Sequence, residues 1–198
     1  MDIVKFVDSK VWWPENQGYK MDDAEIRAMQ DEIIKIPNCR MLQIGTNYGW
    51  TVFNVLKQLD AVGGAIDTID FMYPKKAKQL KRTMKWISHF RSVLKTYNLN
   101  GMIRYYVEGS DHFFKHSCDT YYDVIFIDGD HSFKQSNRDL MNSIKVLRDK
   151  GVIFIHDVRK SRYLGKKSCL KTFNEFQDDR FTKTLLDTKY KLGVLKLN

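Results

Sequence analysis

The chain is poor in the residues that impose an unusual architecture. Its three cysteines, Cys39, Cys118 and Cys169, are odd in number and far apart. They fit neither a disulfide framework nor a zinc-type spacing. Three prolines and no Pro- or Gly-rich tract leave no linker that would divide it. No apolar run approaches the ~20 residues that span a bilayer. The opening MDIVKFVDSKVWW has no basic segment leading into an apolar one, so no secretion signal is expected. A reducing cytoplasm is the simplest compartment. The G-x-G-x-x-G dinucleotide fingerprint is also missing, which counts against a nicotinamide dehydrogenase.

What is present is a globular composition, 43% hydrophobic and 29% charged. We expect one domain over residues 1–198, with an N-terminal arm and helix over 1–37 and a core over 38–198. The net charge of +9 raises the expectation of an anionic partner: nucleic acid, a phosphorylated metabolite or a membrane surface. Part of the charge lies in two runs. One is Lys75, Lys76, Lys78, Lys81, Arg82 and Lys85; the other is Arg159, Lys160, Arg162, Lys166, Lys167 and Lys171. A solvated helix face explains the first.

Short β-rich runs alternate with longer helical ones. RMLQIG, GAIDTIDF, MIRYYVEG, YYDVIFID and GVIFIHD read as five strands. Between them, Val52, Phe53, Val55, Leu56 and Leu59 make a helical stripe. Residues 75–97 make a long helix, with Leu80, Met84, Ile87 and Leu94 near multiples of 3.6. SDHFFKHS is a short helix that Ser110 or Asp111 would cap. Residues 134–147 are helical, with Leu140, Ile144 and Leu147 inward. Further helices are expected over 21–36 and 169–177, and a closing antiparallel pair over 181–186 and 191–197. This alternation predicts an α/β fold with a doubly wound, mostly parallel sheet.

In such sheets ligands bind at the carboxyl ends of the strands. Residues 45–49, Asp70, 109–111, 128–131 and 156–157 all follow strands, so they share one edge. So does the basic loop 159–167. Gly45 and Gly49 suit a tight βα turn that leaves room for a ligand. Asp70 lies 21 residues beyond Gly49, at the end of the second strand. A carboxylate there can accept both hydroxyls of a ribose; the plainer role is a cap. Asp67, of opposite parity, is the fallback.

The stretches LQIGTNYGWT, TIDF, EGSDHFF, YDVIFIDGDHSF, LRDKGVIFIHDV and KLGVLKL follow in order across residues 41–197. Together they resemble class I S-adenosylmethionine-dependent methyltransferases. In wording they look like small-molecule O-methyltransferases of the catechol type and of the IDGDHS type, which includes antibiotic and sugar methyltransferases. The resemblance implies a seven-stranded Rossmann-like sheet with an antiparallel final strand. It implies S-adenosylmethionine as cofactor, a small hydroxylated acceptor and self-association. By it, Gly45, Thr46, Asn47, Tyr48 and Gly49 pass under the methionine part. Asp70 holds the ribose, and Gly109, Ser110 and Asp111 lie near the adenine. Asp128 sits beside the methionine amino group or a metal. Gln43 stands where many relatives have an acid; it can hydrogen-bond the ammonium but adds no charge.

For O-methyl transfer, the acceptor must be aligned and deprotonated. His131, three residues beyond Asp128, is the candidate base, since an imidazole near pKa ~6.5 suits that work. The alternative is a histidine that caps the next helix and bonds Asp130. Asp128, His156 and Asp157 form a second constellation. In catechol-type relatives matching positions hold magnesium, but a histidine ligand fits manganese, iron or zinc better. Alternatively these residues line the pocket without metal. Trp12, Trp13 and Tyr19 either cover the site or pack on the surface. Two other functions stay open: an RNA or nucleotide methyltransferase, motivated by the charge, and a non-catalytic cofactor-binding protein, motivated by Gln43.

Overall fold

The computed structural model describes residues 2–13, 20–70, 77–160 and 168–198; the side chains of 77–83 are not among what is described. Tyr19, Lys75, Lys76, Arg162, Lys166 and Lys167 lie outside it, as do the side chains of Lys78, Leu80, Lys81 and Arg82. Seven strands form one sheet. They are β1 (Arg40–Ile44), β2 (Ala65–Ile69), β3 (Ile103–Tyr106), β4 (Tyr122–Ile127), β5 (Leu147–Ile155), β6 (Phe181–Leu186) and β7 (Leu192–Leu197). Their spatial order is β3-β2-β1-β4-β5-β7-β6. Pairs from β3 through β5 are parallel; β7 runs antiparallel to both β5 and β6.

The period-2 rule explains how the sheet is buried on both faces. Met41, Val124, Phe126, Val152 and Phe154 point to one side. There they pack against α1 (Ile3–Ser9), α2 (Asp23–Ile33), α3 (Trp50–Asn54), α4 (Leu56–Ala61) and α5 (Ala77–Thr96). Leu42, Ile44, Ile125, Ile127, Ile153 and Ile155 point to the other. They meet α7 (Phe133–Lys145), α8 (Cys169–Glu175) and Phe113, which follows the short helix α6 (Ser110–His112). Truncating a fully buried ring such as Phe126 to alanine costs about 3–5 kcal/mol.

Several elements differ from the sequence reading. The helix after β1 is broken at Val55 into α3 and α4, although all five expected apolar residues are buried. The inward face of α5 is Trp86, Phe90, Val93 and Leu94, and Met84 is exposed. Aromatic bulk outweighed aliphatic spacing there. Leu147 belongs to β5, whose register slips between its pairing with Tyr122 and that of Val152 with Val124. Neither Ser110 nor Asp111 caps α6; Gly109 is the N-cap, and a π-helical turn, Phe113–Ser117, follows. Helix α1 was not expected. Asp2 caps it, and Ile3, Phe6 and Val7 anchor it. Trp12 is fully buried against Trp50 and Phe53, so it is a core residue rather than a cover.

Strand order reverses between β1 and β4. The crevice beyond their carboxyl ends is the topological switch point, where ligands bind in open α/β sheets.

Candidate active site

The turn after β1 presses directly on the loop after β4. Gly45 has φ +95°, and a Cβ there would lie 2.1 Å from the Asp128 carbonyl oxygen. Only glycine permits that backbone and that approach. Gly49, at φ +75°, opens α3. Between them Thr46 and Tyr48 turn inward: Thr46 Oγ1 meets Thr68 Oγ1 at 2.7 Å, and Tyr48 stacks on Trp86 at 5.5 Å. Their side chains serve packing. Trp13 packs edge-on to Trp50 and Tyr48.

Asp70 faces this turn. Its Oδ2 accepts the Asn47 N–H at 2.5 Å. Burial raises its pKa against the pull of the Asn47 and Thr46 N–H groups, and Asp128 raises it further. The fallback, Asp67, is engaged elsewhere. It takes a two-pronged bond from Arg104, at 2.7 and 2.6 Å, and one from the Tyr122 hydroxyl at 2.7 Å. Gln43 is buried at the end of β1. Its Nε2 donates to the Gly45 carbonyl at 2.7 Å, and its Oε1 has no hydrogen-bond partner among the described residues.

After β3, Ser110 and Asp111 reach toward α7. Ser110 Oγ donates to Asp139 Oδ1 at 2.6 Å and accepts from Gln135 Nε2 at 3.1 Å. Asp111 pairs with Arg138 at 3.0 Å. Asp139 is buried, and its Oδ2 has no partner among the described residues. Burial pushes its carboxyl up to about 6, against the Ser110 and Gln135 donors.

The ends of β4 and β5 carry an alternating chain of acids and imidazoles. His131 Nε2 lies 3.1 Å from Asp128 Oδ1, and its Nδ1 lies 3.2 Å from Asp157 Oδ2. His156 Nδ1 lies 2.9 Å from the same Asp128 oxygen, off hydrogen-bond alignment. His156 Nε2 lies 3.2 Å from Oε2 of Glu25, a fully buried residue of α2. The order is thus Glu25, His156, Asp128, His131, Asp157. The cap of α7 is Ser132, whose Oγ accepts the Gln135 N–H, so His131 is not the cap. Asp130 braces the loop by accepting the Ser132 N–H at 2.8 Å.

Charges in this chain shift one another. Burial works against the Asp128 carboxylate, but the His156 charge and the His131 hydrogen bond outweigh it and hold its pKa well below the usual range. Burial also works against the His131 cation, yet the bonds to Asp128 and Asp157 push its pKa up to about 9. The sequence reading placed this ring near its ordinary value. The two carboxylates instead favour the cationic, doubly protonated ring. His156 is raised well above its usual value too, chiefly by the Asp128 charge acting against burial.

A divalent ion was expected on Asp128, His156 and Asp157. The donors that converge here are Asp128, His131 and His156, whose ligand atoms lie within 4.8 Å of one another. Asp157 flanks them through His131 and is turned toward Arg159 at 2.8 Å. The unaligned His156 Nδ1 and the anionic Asp128 fit a cation, and two imidazoles suit a first-row transition metal better than magnesium.

Glu25 escaped the sequence reading. It shares the buried face of α2 with Ile26, Met29 and Ile33. A carboxylate in register with an apolar stripe was the available signal.

A methyltransferase-domain family matches residues 42–158. No curated protein matches the chain by sequence. Among solved structures, the O-methyltransferase of Bacillus cereus, in complex with SAH, superposes with TM-score 0.74 at 15% identity, covering 99% of this chain and 89% of that one. The SAH-bound methyltransferase PaMTH1 of Podospora anserina gives 0.71 at 15%, covering 99% and 87%. The O-methyltransferase TomG of Streptomyces achromogenes, involved in tomaymycin synthesis and in complex with SAM, gives 0.70 at 11%, covering 100% and 90%. These likenesses show a shared fold. The family match spans more than half of the sequence, and the chain belongs to that methyltransferase family.

Proposed function

We propose that this protein is an S-adenosylmethionine-dependent O-methyltransferase for a small hydroxylated acceptor, working in the cytoplasm. The observation that carries this is the crevice between β1 and β4. There Gln43 Oε1, buried and without a hydrogen-bond partner among the described residues, and the close-set Gly45 stand beside Asp70 on one side and Asp128–His131 on the other. An acceptor oxygen without a partner suits the cofactor's ammonium, and a turn with no Cβ suits its methionine part. Bound SAH and SAM in the superposed structures support the same assignment. Among the described residues no helix is long and apolar enough to cross a membrane.

When bound, S-adenosylmethionine supplies an electrophilic methyl group on a sulfonium. The residues of this chain then have three tasks. Gln43, the 45–49 turn and Asp70 hold the donor, with Gly109, Ser110 and Asp111 toward its base. Asp128 and Asp157 fix the His131 ring at the strand edge. The His131 imidazolium first loses one proton to solvent, a loss that any cation brought beside Asp128 favours, and the neutral ring then takes the acceptor's proton. A divalent ion held by Asp128, His131 and His156 would be a separate route: it would occupy the His131 nitrogen that otherwise acts as base, and as a Lewis acid would itself lower the acceptor's pKa. Arg159, stacked on Tyr190 at 4.7 Å, and Lys160 are the described residues of the basic loop and suit an anionic acceptor.

Calorimetry with S-adenosylhomocysteine tests the cofactor assignment; no heat at millimolar ligand would end it. A panel of catechols, sugars and phosphorylated alcohols, read by the mass gain of one methyl group, tests the acceptor class. RNA binding that weakens steeply with salt would move the assignment to a nucleic-acid substrate.

A further inference from the structure

We propose that Glu25 is a positioning residue of this site, fixing the His156 ring so that Nδ1 faces Asp128 and the crevice. The inference rests on the methyltransferase reading only for the purpose of the site, not for the geometry.

Glu25 sits on the helix before the first strand, 131 residues from His156, yet it is fully buried. A buried carboxylate is costly unless both oxygens are satisfied. Here both are: Oε2 lies 3.2 Å from His156 Nε2, and Oε1 accepts the Thr188 hydroxyl at 2.5 Å. The same loop between β6 and β7 is fastened once more, by the Lys189 N–H on Asp22 Oδ2 at 2.9 Å. Glu25 is therefore held from two sides and cannot follow the imidazole if it rotates.

This fixes which nitrogen does what. Both ring nitrogens face a carboxylate, but only Nε2 does so in hydrogen-bond alignment, so Nε2 is the nitrogen that donates. Nδ1 is then the nitrogen presented to Asp128, 2.9 Å from Oδ1 but out of line for a hydrogen bond. Two electron-rich atoms at that distance require positive charge beside them, whether a proton or a cation. A carboxylate behind a histidine is the arrangement that orients imidazole ligands and raises their basicity. Tyr190, with its ring centre 5.4 Å from that of His156, and Phe126, at 6.0 Å, pack against the ring without supplying a competing charge.

The test is long-range proton–nitrogen NMR on the full-length, ¹⁵N-histidine-labelled protein without ligand. The wild type should show His156 with a hydrogen-bonded, slowly exchanging Nε2 proton. In Glu25→Ala that signal should be lost or should exchange at least tenfold faster. Glu25→Gln, whose carbonyl can still accept, should restore it in part. A wild-type ring protonated on Nδ1 alone would overturn the proposal, and so would a Nε2 signal unchanged in Glu25→Ala. Thr188→Val, which removes only the second anchor, should keep the signal but speed its exchange; unchanged exchange would contradict the two-sided clamp. S-adenosylhomocysteine calorimetry on the same samples separates the two ideas. Absent binding by the wild type speaks against the methyltransferase reading, while the NMR result stands independently.

Discussion

His131 Nε2 and His156 Nδ1 meet the same oxygen, Oδ1 of Asp128, at 3.1 and 2.9 Å. One carboxylate at the end of the central strand thus organises both imidazoles. Removing either ring leaves Asp128 facing the other, whereas removing Asp128 uncouples the two rings and leaves His131 to Asp157 and His156 to Glu25.

On this geometry, His131→Ala should lower methyl transfer by roughly 10²–10⁴-fold, the usual scale for a lost acid–base group. Affinity for S-adenosylhomocysteine should change less than about threefold, because His131 faces the acceptor side. Single-turnover rates and calorimetry on one preparation separate the two effects. A rate near that of the wild type would remove His131 from the chemistry.

Two aspartates on the same strand segment should behave differently. Asp70→Asn should weaken S-adenosylhomocysteine binding roughly 10–100-fold, since a charged acceptor is lost from the crevice. Asp67→Asn should leave affinity unchanged in the folded protein. It should instead lower stability by about 1–3 kcal/mol, below the range for a fully enclosed ion pair because Arg104 reaches solvent. Urea unfolding alongside calorimetry distinguishes them. Equal effects on binding would reopen the choice of ribose ligand.

Gly45→Ala would place a methyl group 2.1 Å from a backbone oxygen at a φ that L-residues avoid. The backbones of the β1 and β4 loops would have to part. We expect a loss of about 3 kcal/mol or more and no measurable cofactor binding. Gly101→Ala, whose added Cβ meets nothing within 4 Å, is the control. Similar melting temperatures for the two variants would refute the close approach.

Asp139 should make stability depend on pH. Its carboxyl stands near 6 in the folded chain, against 3.8 as the reference. The folded state therefore binds more protons between these values, so stability falls as pH rises from about 4 through 6. The loss should be on the order of 2 kcal/mol between pH 4.5 and 7.5. Asp139→Asn should remove this slope and gain relative to the wild type at the higher pH. Urea unfolding at both pH values checks the sign; a pH-independent difference would place the effect elsewhere.

Much of this site was legible because parallel strands bring all their carboxyl ends to one edge. Knowing that β1, β2, β4 and β5 end before Gly45, Asp70, Asp128 and His156 was enough to gather those residues. Periodicity supplied the strands, since Val124 to Ile127 is buried on both faces and reads as one apolar run. On α5 it found Leu94 but missed Trp86 and Phe90 and chose the exposed Met84, because packing volume and not spacing alone selects the buried face.

Local sequence determined the alternation of strand and helix, the glycine turn and the acidic strand ends. Each depends on neighbours within a few residues. The tertiary structure alone decided which partners these groups meet. Asp67 is claimed by Arg104, Ser110 by Asp139, His131 by Asp157 as well as Asp128, and His156 by Glu25 from the far end of the chain. Those pairings set the charges, because an imidazole between two carboxylates and an imidazole in water are different acids. Spacing cannot report them, since the contacts that move a proton are made only when distant segments pack.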